Sequence, residues 1–444
     1  MAQGENRLKN RFSIAVGFLA LIAAGAVFLA SPLARAAGVW GAPLDALFTA
    51  ASAVCVTGLT VVDVAKEYSL AGQIALLALV EIGCLGLMTC GTFFLIAIGR
   101  RLSLSREFTL MNAYGVAEVQ GLKGLVCWVV VSTLFIESLG AVLYYLKLKD
   151  AYLAVFYSIM SFCNAGFSIL PGSLAAFSGD PSLVILSAAL TISGGIGFLV
   201  IYNLCTFKFL RRRSGGKGRL SLHTSVVLRF TAILLATMFA AFLLAEWNRS
   251  LAGFGFWRKI AVGFYQAVTP RTCGFCMVPT ESLQPVTRLL YEIMMFIGGG
   301  PGSAAAGMKV TTFAVLVYTI TAMCRGENET VISRRVVPME IVRESIVIMV
   351  ALVAFAATVT GALFVTEAGG PISCDALFFE AVSAITTTGL SMGDTTRSLT
   401  VAGKCVVMVA MFAGRLGALT VVLMIGDRET NRHVRFPAEE LVVG

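Results

Sequence analysis

The sequence is short of charge. Only 13% of its 444 residues are Asp, Glu, Lys or Arg, about half the share of an ordinary soluble domain. With 57% hydrophobic residues and a mean hydropathy of +0.86, such a chain could not keep its surface in water. That excludes a cytosolic enzyme, a nucleic-acid binder and a disordered scaffold. No nucleophile and base stand out as a pair, so no enzyme is read here. No helix carries arginine at every third position, as a voltage sensor would. The glycine-rich stretch 298–307 lacks the preceding strand and the Gly-Lys-Ser ending of a phosphate loop. Cys273-Gly274-Phe275-Cys276 has the spacing of a redox pair but falls in a membrane loop. Cys84, Cys90, Cys127, Cys205 and Cys405 sit in apolar runs as small hydrophobes, so no disulfide is expected.

What the chain has instead is repeated apolar runs of about twenty residues, the mark of an all-α polytopic membrane protein. Spans are predicted at 12–30, 70–98, 124–146, 182–208, 224–246, 285–323, 344–366 and 398–426. Within each successive pair lies a shorter segment rich in Gly, Thr and Ser, near 44–63, 152–172, 258–280 and 375–396. These read as re-entrant, because irregular backbone at that depth must line protein or water. Arg7, Lys9 and Arg11 before an apolar run ending in Ala34-Arg35-Ala36 mimic a signal peptide. The run is long for one, and losing it would break the repeat described next, so it is read as a retained helix.

The net charge of +9 is read as a positive-inside bias rather than as nucleic-acid binding. Lys and Arg crowd one set of loops two to one, with Arg100, Arg101 and Arg106, then Lys208, Arg211, Arg212, Arg213, Lys217 and Arg219, then Arg325, Arg334, Arg335 and Arg343. That places both termini in the cytoplasm. The 211–219 loop is read as topology and contact with anionic lipid, with docking of a regulatory partner there or at 325–335 as the second reading. His223, at a cytoplasmic helix start, is assigned no role.

The re-entrant segments repeat one another. Asp45-Ala46-Leu47-Phe48 runs on to Val56-Thr57-Gly58-Leu59, and Asp375-Ala376-Leu377-Phe378 runs on to Thr387-Thr388-Gly389-Leu390. Two more end in Asn164-Ala165-Gly166-Phe167 and Thr272-Cys273-Gly274-Phe275. Gly58, Gly166, Gly274 and Gly389 are 108, 108 and 115 residues apart, each with a Phe ten residues before it: Phe48, Phe156, Phe264 and Phe379. Downstream comes a Gly-x-x-Gly pair in every unit: Gly83/Gly86, Gly194/Gly197, Gly299/Gly302 and Gly414/Gly417. Its second glycine follows the marker by 28 residues in three units and by 31 in the second. Packing glycines alone would not keep that register. The predicted architecture is four tandem helix–pore loop–helix units around a pseudo-fourfold pore, with bounds 1–100, 101–215, 216–325 (its second helix interrupted) and 326–444, the last including a C-terminal tail.

Four such segments in a ring can turn backbone carbonyls toward a dehydrated monovalent cation, with helix C-termini adding negative potential. No carboxylate lies within two residues of the four glycines, which argues against a calcium- or proton-selective ring of acids. A secondary transporter with a midplane substrate site fits less well, because such folds carry two repeats with broken helices in both halves. Here one helix looks heavily interrupted.

The four segments resemble the filter segments of the Trk/Ktr/HKT superfamily of potassium transporters. The resembling phrases are Val54-Cys55-Val56-Thr57-Gly58-Leu59, Cys163-Asn164-Ala165-Gly166-Phe167, Thr269-Pro270-Arg271-Thr272 with Gly274-Phe275, and Thr386-Thr387-Thr388-Gly389-Leu390. Eight spans and the tail Phe436-Pro437-Ala438-Glu439-Glu440 ending at Gly444 look most like the Ktr membrane subunit. The resemblance implies a potassium filter of Val56, Thr57 and Gly58; Asn164, Ala165 and Gly166; Thr272, Cys273 and Gly274; and Thr387, Thr388 and Gly389. Potassium would be held by the backbone carbonyls of the two residues before each glycine. Glycine in all four units goes with potassium preference, and serine in the first with sodium. The implied partners are a second copy, in a homodimer with one pore per subunit, and a cytoplasmic RCK-type ring that binds nucleotide on the pore's behalf. No covalent cofactor is implied; potassium is the transported ion, with sodium as an activator or a coupled ion as the alternative. The implied location is the inner or plasma membrane.

One helix over 285–323 would be about 58 Å long, nearly twice the hydrocarbon core. The break is predicted at Gly298-Gly299-Gly300-Pro301-Gly302-Ser303-Ala304-Ala305-Ala306-Gly307. By resemblance this is a loop that obstructs the path below the filter, and Arg415, costly in mid-membrane, stands beside it as an electrostatic barrier or a partner for loop carbonyls. Lys309 is expected near the loop or snorkelling to the surface. Arg271 is read as support for the filter.

Overall fold

The computed structural model describes residues 2–86, 89, 122–213 and 220–417. Arg100, Arg101, Arg106, Lys217, Arg219 and the tail from Phe436 lie outside them. The described chain is almost wholly helical. Its elements are α1 (Ala2–Ala30), α2 (Pro43–Val54), α3 (Leu70–Leu85), α4 (Leu122–Leu148), α5 (Ala151–Cys163), α6 (Pro181–Ile196) and α7 (Phe198–Arg213). There follow α8 (Leu222–Glu246), α9 (Phe256–Val268), α10 (Pro285–Phe296), α11 (Val310–Cys324), α12 (Met339–Thr366), α13 (Cys374–Ile385), α14 (Thr395–Ser398) and α15 (Val401–Leu416). A two-stranded antiparallel hairpin, Val331–Ile332 with Arg335–Val336, joins α11 to α12.

Helix starts follow from sequence. Pro43, Pro181 and Pro285 occupy first-turn positions, where a missing N–H costs nothing. The side chains of Ser69, Asp150, Ser221, Ser373 and Thr400 accept from backbone amides two or three residues into their helices.

Among the described residues, three helices are long and apolar enough to cross a membrane: Val126–Leu148, Leu222–Glu246 and Met339–Thr366. Their outer faces stay apolar: Val131, Leu134, Phe135, Leu139, Val142 and Leu146 on α4 are all exposed. A stripe of that kind on the surface belongs in lipid, not water. The short helices α2, α5, α9 and α13 sit inside this shell. Phe48, Phe156 and Phe379 are fully buried, which accounts for the phenylalanine in the repeat.

The structure corrects the expectation that only one helix is broken. α6 and α7 meet at a 98° bend, so the predicted span 182–208 is not straight. α3 and α15 end at Leu85 and Leu416, each followed by a glycine; the predicted spans beyond Gly86, residue 89 apart, and beyond Gly417 lie outside the described residues. Gly86, Gly197 and Gly417 share one backbone geometry, with φ of +81°, +104° and +88° and ψ of 137–138°. Only glycine takes that conformation without strain. The first glycines have a different task. A Cβ on Gly83, Gly194 or Gly414 would overlap the carbonyl oxygen of Val54, Phe162 or Ile385, in the last turn of its own unit's short helix. The repeated pair is therefore one glycine for close packing and one for ending the helix.

Candidate functional site

Each short helix ends in the same way. The residue two before the marker glycine adopts the left-handed region: Val56 (φ +56°), Asn164 (+57°), Thr272 (+67°) and Thr387 (+48°). The next amide then folds back on the helix: Thr57 donates to Ser52 O (2.8 Å), Ala165 to Met160 O (2.9 Å), Cys273 to Thr269 O (3.1 Å) and Thr388 to Ser383 O (2.8 Å). These are helix caps of the kind that glycine or asparagine normally closes. Three of the four use a β-branched residue instead, at a cost of about 1–3 kcal/mol each, and strain of that size collects at functional sites.

The four marker glycines meet. A Cβ on Gly58 would lie 2.7 Å from the Cα of Gly166, and one on Gly166 would lie 2.8 Å from the Cα of Gly274. On Gly274 it would lie 3.2 Å from the Cα of Gly389, and on Gly389 it would lie 3.3 Å from the Cα of Gly58. The ring closes in chain order, with no room for a side chain anywhere on it. The Thr388 carbonyl oxygen would be 2.6 Å from a Cβ on Gly274, and the Thr57 oxygen would overlap one on Gly389, so these carbonyls project toward the neighbouring quarter. Gly58, Gly274 and Gly389 also have positive φ, whereas Gly166 does not. At Gly166 close approach alone, not unusual backbone angles, requires the missing side chain.

The side chains of these turns divide. The hydroxyls of Thr57, Thr272 and Thr387 are buried and have no hydrogen-bond partner among the described residues. The Asn164 amide, in the orientation its neighbours dictate, donates to the carbonyls of Thr191 and Ser161. On the side toward which the chain continues, a cavity of about 390 Å³ is lined by all four glycines, with Asp63, Glu281, Asp394 and Arg397 farther out. Three carboxylates against one guanidinium favour cations at that mouth.

The glycine-rich stretch 298–307 is a loop, pinned at its base where Gly298 N donates to Met308 O (2.9 Å) and Met308 N to Phe296 O (3.0 Å). It lies against the break between α6 and α7. Gly300 N donates to Gly195 O (2.9 Å), Ala304 N to Gly194 O (3.2 Å) and Phe198 N to Gly302 O (2.9 Å). The two interruptions thus satisfy each other's backbone groups, as a membrane interior demands. The three extra residues in the second unit's spacing lie before this break, between Gly166 and Pro181, where α6 starts 15 residues after its marker glycine against 12 for α3 and α15.

Arg415 donates to Ala304 O (2.6 Å) and to the carbonyls of Gly83 and Cys84, joining the last helix, the loop and the first unit. Arg271, buried, donates to Gly298 O (3.0 Å), so its anchor is the loop rather than the filter turn three residues away. Lys309 does not run to the surface; its Nζ donates to Ala305 O (2.6 Å). Three cations thus grip one loop through its carbonyls.

An all-α membrane protein that brings one turn from each quarter of its chain onto a shared axis is the class this fold and site define. The family model TrkH, described as a cation transport protein, matches residues 5–429. The chain belongs to that family. It is 34% identical to the Ktr system potassium uptake protein B of Bacillus subtilis over 97% of this chain and 96% of that one. It is 32% identical to the potassium/sodium uptake protein NtpJ of Enterococcus hirae over 99% of both. The crystal structure of the potassium transporter TrkH from Vibrio parahaemolyticus shares the fold, with a TM-score of 0.74 at 15% identity, over 95% of this chain and 85% of that one. The family is one of transporters, not enzymes.

Proposed function

We propose that the protein is the ion-translocating membrane subunit of a potassium uptake system. The observation that carries this reading is the closed ring of Gly58, Gly166, Gly274 and Gly389. Carbonyl oxygens from the two residues before each glycine (Val56 and Thr57, Asn164 and Ala165, Thr272 and Cys273, Thr387 and Thr388) replace the hydration shell of potassium. Four units, 1–100, 101–215, 216–325 and 326–444, surround the path. Names of relatives that specify potassium uptake support the choice of ion, and the name of NtpJ supports sodium as a second ion.

Gly298, Gly299, Gly300, Pro301, Gly302, Ser303 and Gly307 form the gate, with Arg415 as its latch and its electrostatic barrier. Moving the loop aside requires the Arg415–Ala304 and Arg271–Gly298 bonds to break, along with the backbone bonds to Gly194 and Gly195. The homodimer, the RCK-type ring that brings nucleotide control, and the inner or plasma membrane with both termini cytoplasmic rest on the family resemblance and the charge bias.

The test is uptake in a strain lacking its own potassium transporters, comparing the protein with Gly58→Ser. The expected result is potassium-selective uptake that the substitution shifts toward sodium. Equal sodium and potassium permeation by the unsubstituted protein overturns the assignment.

A further inference from the structure

Nine residues before each ring glycine, on the buried flank of each short helix, stand Thr49, Tyr157, Tyr265 and Glu380, all with 0% exposure. Two residues after each glycine stand Thr60, Ser168, Cys276 and Ser391. In two of the four quarters these positions are bonded to each other. The Tyr157 hydroxyl meets Ser168 Oγ at 2.7 Å and accepts from Leu170 N at 3.0 Å. Glu380 accepts from Ser391 Oγ at 2.8 Å and from Thr396 Oγ1. In the other two the helix side chain turns elsewhere. Thr49 donates to Asp45 O (2.8 Å), and Tyr265 pairs with the Cys273 thiol (3.4 Å).

The ring order makes Gly166 and Gly389 diagonal neighbours, so the two turns braced through this pair of positions face each other across the axis; the two that alternate with them are held differently, Gly58 N donating to Ser52 Oγ (3.0 Å) and Thr269 Oγ1 to Phe275 O. Ser168, Leu170, Ser391 and Thr396 line the cavity beyond the ring, whereas Tyr157 and Glu380 do not. Glu380 is the more consequential brace. It is a carboxyl group with no exposed surface, and it ties three pieces of backbone together: its own helix α13, the segment just after Gly389, and α14. Burying such a group is costly unless its oxygens are satisfied, and here both are, by two hydroxyls that also meet each other (Thr396 Oγ1 to Ser391 Oγ, 3.1 Å).

We propose that Glu380 is a positioning residue for ion selection. It touches no ion, but it holds the fourth turn, with the strained Thr387, at the radius at which the ring discriminates between alkali cations, opposite the Tyr157 brace. Losing the brace lets that turn relax outward, so that the ring tolerates sodium better and holds potassium less well. This rests on the filter reading above.

The experiment measures rubidium and potassium uptake, with sodium competition, in the transporter-deficient strain, normalised to the amount of protein in the membrane. The variants are Glu380→Ala, Glu380→Gln, Ser391→Ala and Thr396→Val. Gln keeps an acceptor for Thr396, and its amide can donate to Ser391, so it preserves the brace without the carboxylate. Glu380→Ala is expected to raise KM for potassium about fivefold to tenfold, the worth of one or two hydrogen bonds, and to increase sodium competition, with the maximal rate less affected. Glu380→Gln is expected to restore most of the difference. Thr396→Val and Ser391→Ala, which remove single hydroxyls and are gentler on folding, shift KM in the same direction by less. Unchanged KM and sodium competition in Glu380→Ala, Ser391→Ala and Thr396→Val overturn the proposal, as does a Gln variant as impaired as Ala. If the unsubstituted protein fails to take up potassium selectively, the filter reading itself falls.

Discussion

Arg415 Nη1 stands 2.6 Å from the carbonyl oxygen of Ala304, 111 residues earlier in the chain. The bond runs from the last described helix to the far end of the glycine-rich loop. The same guanidinium reaches Gly83 and Cys84 in the first quarter. One side chain therefore ties three of the four quarters together at the glycine-rich loop.

Removing it should loosen the proposed gate. A hydrogen bond to a charged group contributes about 1.5–3 kcal/mol, so Arg415→Ala is expected to raise cation flux about tenfold or more in potassium-depleted cells, or to uncouple flux from the proposed regulatory partner. Unchanged flux and affinity would remove the gating role from Arg415.

Arg271 tests the other end of the same loop. Its guanidinium is buried and bonded to the Gly298 carbonyl, so Arg271→Met should free that end without leaving a buried charge. Uptake should rise as in Arg415→Ala, and the double variant should exceed either single one, because the two bonds hold different ends. Should Arg271→Met change only ion preference, its role would lie with the adjacent filter turn.

Gly166 differs from the other ring glycines in lacking positive φ, and so isolates the effect of close approach. Gly166→Ala would put a methyl group within 2.9 Å of the Gly274 Cα, carbonyl carbon and oxygen. Uptake is expected to fall about a hundredfold while the protein remains in the membrane, since overpacking of about 1–3 kcal/mol disturbs a site more than a fold. Wild-type uptake from this variant would mean that the ring is not the path.

Glu246 offers a contrast, because it acts on stability alone. Fully buried at the end of α8, it accepts from Gln284 N (2.9 Å), Thr287 Oγ1 (2.7 Å) and Ser250 Oγ (2.9 Å), fastening α8 to the start of α10. Glu246→Ala leaves three donors unmatched, and a loss of about 3–5 kcal/mol is expected. Thermal unfolding of the purified protein should show it, with KM for potassium unchanged in whatever protein survives.

The repeat was legible in the sequence because its causes are local and recur. A phenylalanine fills the interior behind three of the four short helices and is partly buried behind the other, and one glycine closes each turn where its neighbour allows no side chain. The interrupted third-unit helix was legible because proline and clustered glycine disfavour helix in any setting. The bend at Gly197 was not read, because glycines within an apolar run are compatible with an unbroken, closely packed membrane helix. Its backbone geometry is shared with Gly86 and Gly417, but at Gly197 the loop also takes the space of a Cβ, which would lie 2.5 Å from the Pro301 carbonyl oxygen.

What the sequence alone determined is the apolar medium, the helical class and the fourfold spacing of the marker glycines, since apolar content and residue spacing follow from the chain itself. Only the tertiary structure decided that the four turns meet, that Arg271 and Lys309 turn to the loop, that Arg415 bridges distant quarters, and that Tyr157 and Glu380 brace two of the turns in a way their counterparts do not. A carbonyl acceptor leaves no trace in the sequence, because every residue has one. Which of them a buried arginine or a hydroxyl finds is decided only when the four quarters close on one another.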